Sequence, residues 1–317
     1  MNAHIPGAGK PVILVTAADL APEALALLKD YHVVFAGKTP TEQSIIEQCQ
    51  QTDPVAIIVR YGKVGAAAMD AAPSLRVISK HGSGTDTIDK AAARERGIEV
   101  VAALGVNAAA VAEQALALLL ACAKSVVTLN ARMHAAQWDK STHKSVELGG
   151  KTLGLIGLGA IGARMARVAH AMDMRVIGFD PYAANLPDYV EQVPLETIWK
   201  EADAISLHCP LTEENRGLIS EAVLAACKPG LILVNTARGG LIDEAALLKA
   251  VRAGQVAAAG LDSFAVEPIA ADSPFLGEKN IVLSPHIGGV TTAAYVNMGV
   301  AAAKNLLAVL EHQSQEN

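Results

Sequence analysis

The stretch Thr152-Leu-Gly-Leu-Ile-Gly-Leu-Gly-Ala-Ile-Gly162, followed by Asp180, constrains the fold of this 317-residue chain more than any other. Leu153 to Ile156 read as a short buried strand, and Gly157-Leu-Gly159-Ala-Ile-Gly162 as a G-x-G-x-x-G turn. The spacing predicts a helix over 163–172, then a second apolar strand over 174–179 that ends at Asp180. Gly157 suits a tight turn, Gly159 lets a pyrophosphate approach the backbone, and Gly162 lets the helix pack closely on the strand. A helix N-terminus offers free N–H groups to an anion, so Gly157, Gly159, Ala160, Ile161 and Gly162 form a candidate phosphate cradle. Asp180 stands 18 residues past Gly162, close to the roughly 20 expected for the acid that binds the adenosine ribose hydroxyls. A glycine triplet alone also occurs in ordinary loops. With strand, helix, second strand and terminal acid in register, it predicts a dinucleotide site. A carboxylate at 180 repels a 2′-phosphate, and Pro181-Tyr-Ala-Ala-Asn185 brings no Arg or Lys, so NAD is expected rather than NADP.

The same strand–helix unit recurs along the chain. Before the motif, strands are expected at 11–15, 32–35, 55–59, 76–79 and 98–101, alternating with helices at 22–29, 41–51, 65–70 and 87–95. Such alternation implies a parallel sheet covered on both faces. This first unit lacks the glycine triplet, and its ligand loops are expected at Arg60-Tyr-Gly-Lys63 and Lys80 to Asp86. One long helix is expected from Asn107 to about Ala136, apolar almost all round at its middle and so buried by packing or by a partner subunit. After Asp180, strands at 204–207, 231–234, 256–261 and 281–283 alternate with helices at 220–226, 243–251 and 291–311, Asp243 being an N-cap. A hydrophobic fraction of 51% with 3% aromatics suits a packed α/β enzyme and argues against disorder. A net charge of −6 gives no attraction to nucleic acid or to an anionic membrane. Cys49, Cys122, Cys209 and Cys227 have no ligand spacing, so neither a disulfide scaffold nor a metal site is expected, and a cytoplasmic location is. The first ten residues lack a basic and apolar leader, and no apolar run reaches the roughly 20 residues of a membrane span.

Polar residues fall just after the expected strands of the second unit: Asp180, His208, Arg238, Asp262 and His286, with Glu267 in the next loop. In a parallel sheet these ends converge on the edge that holds the dinucleotide. Singly, Arg238 could be a structural ion pair, Glu267 a solvated loop acid and His286 a hydrogen-bonded core residue. Their joint placement points to an active site. With them the chain resembles the D-2-hydroxyacid dehydrogenase family over nearly its whole length. The matching motifs are Gly84-Thr-Asp-Thr-Ile-Asp89, Asn107 with Val111-Ala-Glu113, and Glu147-Leu-Gly-Gly-Lys-Thr-Leu-Gly-Leu-Ile-Gly-Leu-Gly159. Then come Phe179-Asp-Pro181, His208-Cys-Pro-Leu-Thr212, Asn235-Thr-Ala-Arg-Gly239, Gly260-Leu-Asp262, Val266-Glu-Pro268 and Pro285-His-Ile-Gly288.

The resemblance implies an α/β fold of two doubly wound parallel-sheet domains. A Rossmann NAD domain, 103–289, would be inserted into a flavodoxin-like substrate domain made of 1–102 and 290–317. It implies the catalytic set Arg238, Glu267 and His286, with substrate contacts from Arg60, Lys63 and the backbone of Ser83 and Gly84. It places the cofactor against Asp180, Pro181, His208, Cys209, Pro210, Thr236, Ala237, Arg238, Asp262, His286 and Gly288 as well as the glycine turn. It also implies a homodimer built on the helix from Asn107.

The residue types suit a 2-keto acid. Arg238 can hold its carboxylate and polarise the adjacent carbonyl. His286 can donate the proton as hydride arrives, and Glu267 favours the imidazolium. Two departures from the family pattern stand out. Ala160 replaces an arginine that many members place against the pyrophosphate, and Tyr61 replaces the small residue usual after Arg60. Arg60 and Lys63 then read either as solvated charges or as a site for a second anionic group on the substrate. Within the family, phosphoglycerate dehydrogenases rank first, with glyoxylate or hydroxypyruvate reductases as the alternative. The short stretch after the last helix leaves no expectation of an appended regulatory domain. A non-catalytic NAD-sensing co-repressor is the reading from another class.

Overall fold

The structure, a computed structural model, describes residues 9–315. The leader read for a targeting signal lies mostly outside them, in 1–8. The first run of elements is β1 (Val12–Val15), α1 (Pro22–Leu27), β2 (His32–Phe35), α2 (Glu42–Thr52) and β3 (Ala56–Val59). It continues through α3 (Ala66–Asp70), β4 (Val77–Lys80), α4 (Lys90–Glu95) and β5 (Glu99–Ala102). Next come α5 (Ala108–Lys124), α6 (Val126–His134), β6 (Thr152–Ile156), α7 (Ala160–Ala171) and β7 (Arg175–Phe179). Then follow β8 (Val190–Gln192), α8 (Leu195–Glu201), β9 (Ala204–Leu207), α9 (Glu221–Ala226) and β10 (Leu231–Asn235). The chain closes with α10 (Glu244–Arg252), β11 (Val256–Leu261), β12 (Ile281–Leu283) and α11 (Thr292–Gln315).

These elements form two compact units, one running to Asn107 and resuming at Val290, the other Ala108–Gly289. The first holds a five-stranded sheet in the order β2-β1-β3-β4-β5, and every pairing is parallel. Its central strand β3, Ala-Ile-Ile-Val, is buried on both faces, as a sheet covered by helices requires. One cover is α11, whose Ala302, Ala303 and Leu306 pack with Ile13, Val15 and Ala24. By length and composition α11 could cross a membrane. Its apolar side is instead part of this core, and Ser79 Oγ donates to the Ala302 carbonyl at 2.9 Å.

The second unit holds a seven-stranded parallel sheet in the order β12-β11-β10-β9-β6-β7-β8. Strand order reverses between β6 and β9, the switch point where doubly wound sheets bind nucleotides. Strands β6, β9 and β10 are buried throughout.

Two expectations change. The single helix over 107–136 is two helices bent by 61°, broken at Ser125, which sits in the left-handed region at φ +52°. Helix α5 buries Ala115, Leu118 and Leu119, whereas α6 buries nothing and opens on the β-branched run Val126-Val-Thr128. Branched residues lose side-chain freedom in a helix, so α6 has neither propensity nor burial to continue the α5 axis. The helix expected over 87–95 starts only at Lys90, because Ile88 bridges Val64 and the Asp89 side chain caps Ala92 N–H at 3.0 Å. Strand β8 and helix α8 were not foreseen, since their polar, short runs carry no apolar period.

Candidate active site

The glycine turn lies at the switch point and is shaped by contact. Gly157 has φ +96°, and a Cβ on it would stand 2.7–2.8 Å from the backbone of His208 and Cys209. A Cβ on Gly162 would overlap the Gly157 carbonyl oxygen, so the first turn of α7 sits directly on the loop. At Gly159 a Cβ would meet nothing within 4 Å. Helix α7 begins at Ala160, earlier than the spacing suggested, and Ala163 N–H makes a backbone bond to Gly159 O. The first N–H groups of a helix have no intrahelical partner, which leaves those of Ala160 and Ile161 for an anion.

Asp180 follows β7 directly and braces the same loop. Its carboxylate accepts from Leu158 N–H at 2.8 Å and Tyr182 N–H at 2.9 Å, while Gln192 donates to its carbonyl. Pro181 follows it, and Tyr182 stands exposed. After β9, His208 shares a 2.9 Å hydrogen bond with Ser206 Oγ, and burial pulls its imidazole down to about 4. That shift favours the neutral ring of His208 beside the loop. Cys209 is half-buried, its thiol pushed up to about 11 by burial, and Pro210 is exposed.

The turn after β10 is clamped by Asn235, which accepts from Ala237 N–H at 3.0 Å and donates to Arg238 O at 2.9 Å. Arg238 Nη1 donates to the Ala237 carbonyl at 2.7 Å, fixing the guanidinium next to its own turn. Among the described residues, the buried hydroxyls of Thr236 and, after β11, Ser263 have no hydrogen-bond partner, nor does His208 Nδ1. Buried polar atoms without partners are costly, and at the switch point of a doubly wound sheet a bound nucleotide would supply such bonds. An open cradle at Gly159, free N–H groups on α7 and orphaned hydroxyls along one sheet edge fit a dinucleotide.

Asp262 is 1% exposed and organises the loop that carries the histidine. Its oxygens accept from Ser284 Oγ at 2.6 Å, Ile287 N–H at 2.9 Å and Gly288 N–H at 2.8 Å. Gln114 on α5 donates to Ser284 Oγ at 3.0 Å. This bracing holds His286 at φ +52°, a region costly for a side chain and common at functional positions. His286 Nδ1 lies 2.7 Å from Glu267 Oε2, and Glu267 Oε1 accepts from Phe264 N–H at 2.9 Å. Facing a carboxylate, Nδ1 donates, and Nε2 is left for another partner. The Glu267 bond raises the His286 pKa above its ordinary value, against burial and the nearby Arg238. Burial works against the Glu267 carboxylate, yet His286 and Phe264 N–H hold it below the ordinary range.

The structure thus brings Arg238, Glu267, Asp262 and His286 together in one unit with the glycine turn and Asp180. In the other unit, Arg60 lies at the end of β3, Lys63 is exposed beyond it, and Ser83 and Gly84 follow β4. Sequence reading gave no role to Ser284, Gln114 and Glu244, and quoted Asn235 only as part of a motif; all four hold the loops of the candidate site. No local signal shows these roles, because each acts through a partner far along the chain or through a turn geometry.

Residues 116–288 match the family described as D-isomer specific 2-hydroxyacid dehydrogenase, NAD binding domain. The chain belongs to this family. It is 43% identical over 246 residues to a hydroxypyruvate reductase of Thermotoga maritima, covering 77% of this chain and 80% of that one. It is 39% identical over 302 residues to a D-3-phosphoglycerate dehydrogenase of Mycobacterium tuberculosis, covering 93% of this chain and 56% of that one. The chain therefore spans about half the length of that dehydrogenase. A solved structure from Thermus thermophilus superposes with a TM-score of 0.88 at 37% identity, covering 95% of this chain and 97% of the other. As an NAD-binding 2-hydroxyacid dehydrogenase, the chain is an oxidoreductase.

The His286–Glu267 pair gives a pH signature. With His286 as the expected proton donor, reduction would need the imidazolium, so kcat/KM for a 2-keto acid is expected to hold at low pH and to fall as pH rises through the raised His286 pKa. Oxidation of the hydroxyacid needs the neutral ring and rises over the same interval. Glu267→Gln removes the stabilising anion, so both transitions move to lower pH. Superimposable profiles for the two proteins would refute the pairing.

Proposed function

We propose that the chain reduces a small 2-keto acid with NADH to give the D-2-hydroxyacid, and runs the reverse oxidation. The observation that carries this reading is the 2.7 Å His286 Nδ1–Glu267 Oε2 bond, with Arg238 in the same unit as a dinucleotide cradle. A bound nicotinamide would supply the hydride. Arg238 binds the substrate carboxylate and polarises its carbonyl. His286 Nε2 gives the proton to the carbonyl oxygen as negative charge develops there, and Glu267 keeps that proton in place beforehand. Asp262 acts through the loop it braces, which sets where His286 points.

Asp180 supports NADH over NADPH, since its carboxylate sits at the second strand end, where a 2′-phosphate would meet like charge. The unit 108–289 is the proposed NAD domain, and residues to 107 with those from 290 the proposed substrate domain. The exposed apolar side chains Val126, Val127, Met133 and Trp138, on α6 and just after it, support a homodimer. Sedimentation equilibrium should then give twice the chain mass, and a monomer at micromolar concentration would remove this part. Unpaired cysteines, three of them buried, support a cytoplasmic location.

The test is oxidation of NADH, compared with NADPH, in the presence of glyoxylate, hydroxypyruvate, pyruvate, phosphohydroxypyruvate and oxaloacetate. Turnover of at least one, faster with NADH, is expected. No turnover on the whole panel would favour the NAD-sensing reading instead.

A further inference from the structure

Within the second unit, the loop that carries His286 is held from behind by helix α5. Helix α5 lies across β10, β11 and β12, and two glycines let it come close. A Cβ on Gly260 in β11 would stand 2.7 Å from Leu118 Cβ. One on Gly288 would stand 2.9 Å from Asp262 Oδ2 and 3.4 Å from Gln114 Cβ and Cγ. Gln114 thus reaches the first residue after β12. Its Nε2 donates to Ser284 Oγ at 3.0 Å, and Ser284 Oγ donates to Asp262 Oδ1 at 2.6 Å.

The direction of this chain follows from counting protons. A serine hydroxyl has one proton, and the Asp262 oxygens already act as acceptors for Ile287 N–H at 2.9 Å and Gly288 N–H at 2.8 Å. With its proton given to Asp262, Ser284 Oγ can only accept from Gln114, so the amide turns its nitrogen to the hydroxyl. Ser284 also holds the histidine through its backbone. Its N–H continues the ladder to the Leu261 carbonyl at 2.9 Å, and its own carbonyl accepts from His286 N–H at 3.0 Å. His286 is therefore tied on both sides, by Ser284 at its own N–H and by Asp262 at the next two. A left-handed backbone at a residue with a side chain persists only where its surroundings over-determine it, and these bonds do so at φ +52°.

We propose, on the reading of His286 as the proton donor, that Gln114 and Ser284 are positioning residues for it. The Gln114 amide fixes the Ser284 hydroxyl, and the hydroxyl fixes the rotation of the Asp262 carboxylate. The carboxylate in turn holds the backbone that sets the His286 ring against Glu267. Without the Ser284 proton, the carboxylate can turn and loosen its grip on both amides. Proton transfer is steep in donor placement, since a misplacement of about 1 Å can cost roughly 100-fold in rate. Both residues thus govern the rate through Asp262 and the backbone of the loop.

The experiment compares wild type with Ser284→Ala, Ser284→Thr, Gln114→Met and Gln114→Glu by three measurements. These are kcat and KM for 2-keto acid reduction, the melting temperature, and the His286 titration. The titration is followed by NMR on protein with ¹³C-labelled histidine, the His286 signal being the one missing from His286→Ala. Ser284→Ala should lower kcat by about tenfold or more, with KM for the keto acid nearly unchanged. It should also move the His286 titration to lower pH, because the ring no longer meets Glu267 squarely. Gln114→Met removes one donor at similar length and should act in the same direction by about two- to fivefold. Gln114→Glu offers a second acceptor to a hydroxyl with one proton, and should match Ser284→Ala or exceed it. Ser284→Thr keeps the hydroxyl and should keep the wild-type values. Wild-type kcat and titration in Ser284→Ala would overturn the proposal. A lower melting temperature with both unmoved would do the same and leave only a structural role. Ser284→Thr as impaired as Ser284→Ala would exclude the hydroxyl, and wild-type values in both Gln114 variants would exclude Gln114. The titration needs no substrate. A wild-type protein that turns over no 2-keto acid would fail the proton-donor reading, while the titration still decides whether Ser284 and Gln114 set the His286 ring.

Discussion

His286→Ala is expected to lower the rate of 2-keto acid reduction by roughly 10²–10⁴-fold, the range for a lost general acid. The side chain is half-exposed, so its removal opens no core cavity and the fold should melt as before. Loss of rate with an unchanged melting temperature separates a chemical role from a structural one. The pH dependence should also flatten, because the group whose protonation governs the rate is gone. Glu267→Gln should be milder and shift the profile, since it leaves the imidazole but takes away the anion that favours its charged form. A His286→Ala protein with near wild-type turnover would leave the proposed scheme without its proton donor.

Gly239→Ala is expected to be the most damaging one-carbon change in the second unit. A Cβ there would overlap the Phe264 carbonyl carbon and oxygen and the Ala265 nitrogen. All three are backbone atoms, so no side chain can swing aside. Overpacking typically costs 1–3 kcal/mol, and a backbone clash belongs at about 3 kcal/mol. The displaced segment is also the one that positions Glu267: Phe264 N–H binds Glu267 Oε1, and Ala265 N–H binds Glu244 Oε1 at 2.8 Å. Turnover should therefore fall by about tenfold or more even below the melting range, with the pH profile moved toward that of Glu267→Gln. Gly277→Ala is the control, since a Cβ there meets nothing within 4 Å. Equal melting temperatures and rates for the two variants would show that Gly239 does not set the loop.

The sequence by itself determined the βα alternation and the family, and it supplied the candidate dinucleotide site and the candidate catalytic groups. These were legible because each rests on local pattern. Buried parallel strands are continuous apolar runs, a phosphate cradle needs glycines at fixed spacing, and the ends of parallel strands lie on one edge whatever the helices do. What only the tertiary structure decided depends on partners distant in sequence. The apolar run after Asn107 reads as one helix until burial is known. It ends at Ser125 because the sheet covers α5 and leaves α6 bare. Asp262, expected as a cofactor contact, accepts from Ser284 Oγ, Ile287 N–H and Gly288 N–H, bonds that brace the loop carrying His286 at φ +52° and that no sequence pattern shows. Arg60 shows the same limit most plainly. A sequence gives the charge of a side chain but not its partner: the guanidinium donates to the Asp19 carboxylate, 41 residues before it, which also accepts from Tyr295 near the far end of the chain.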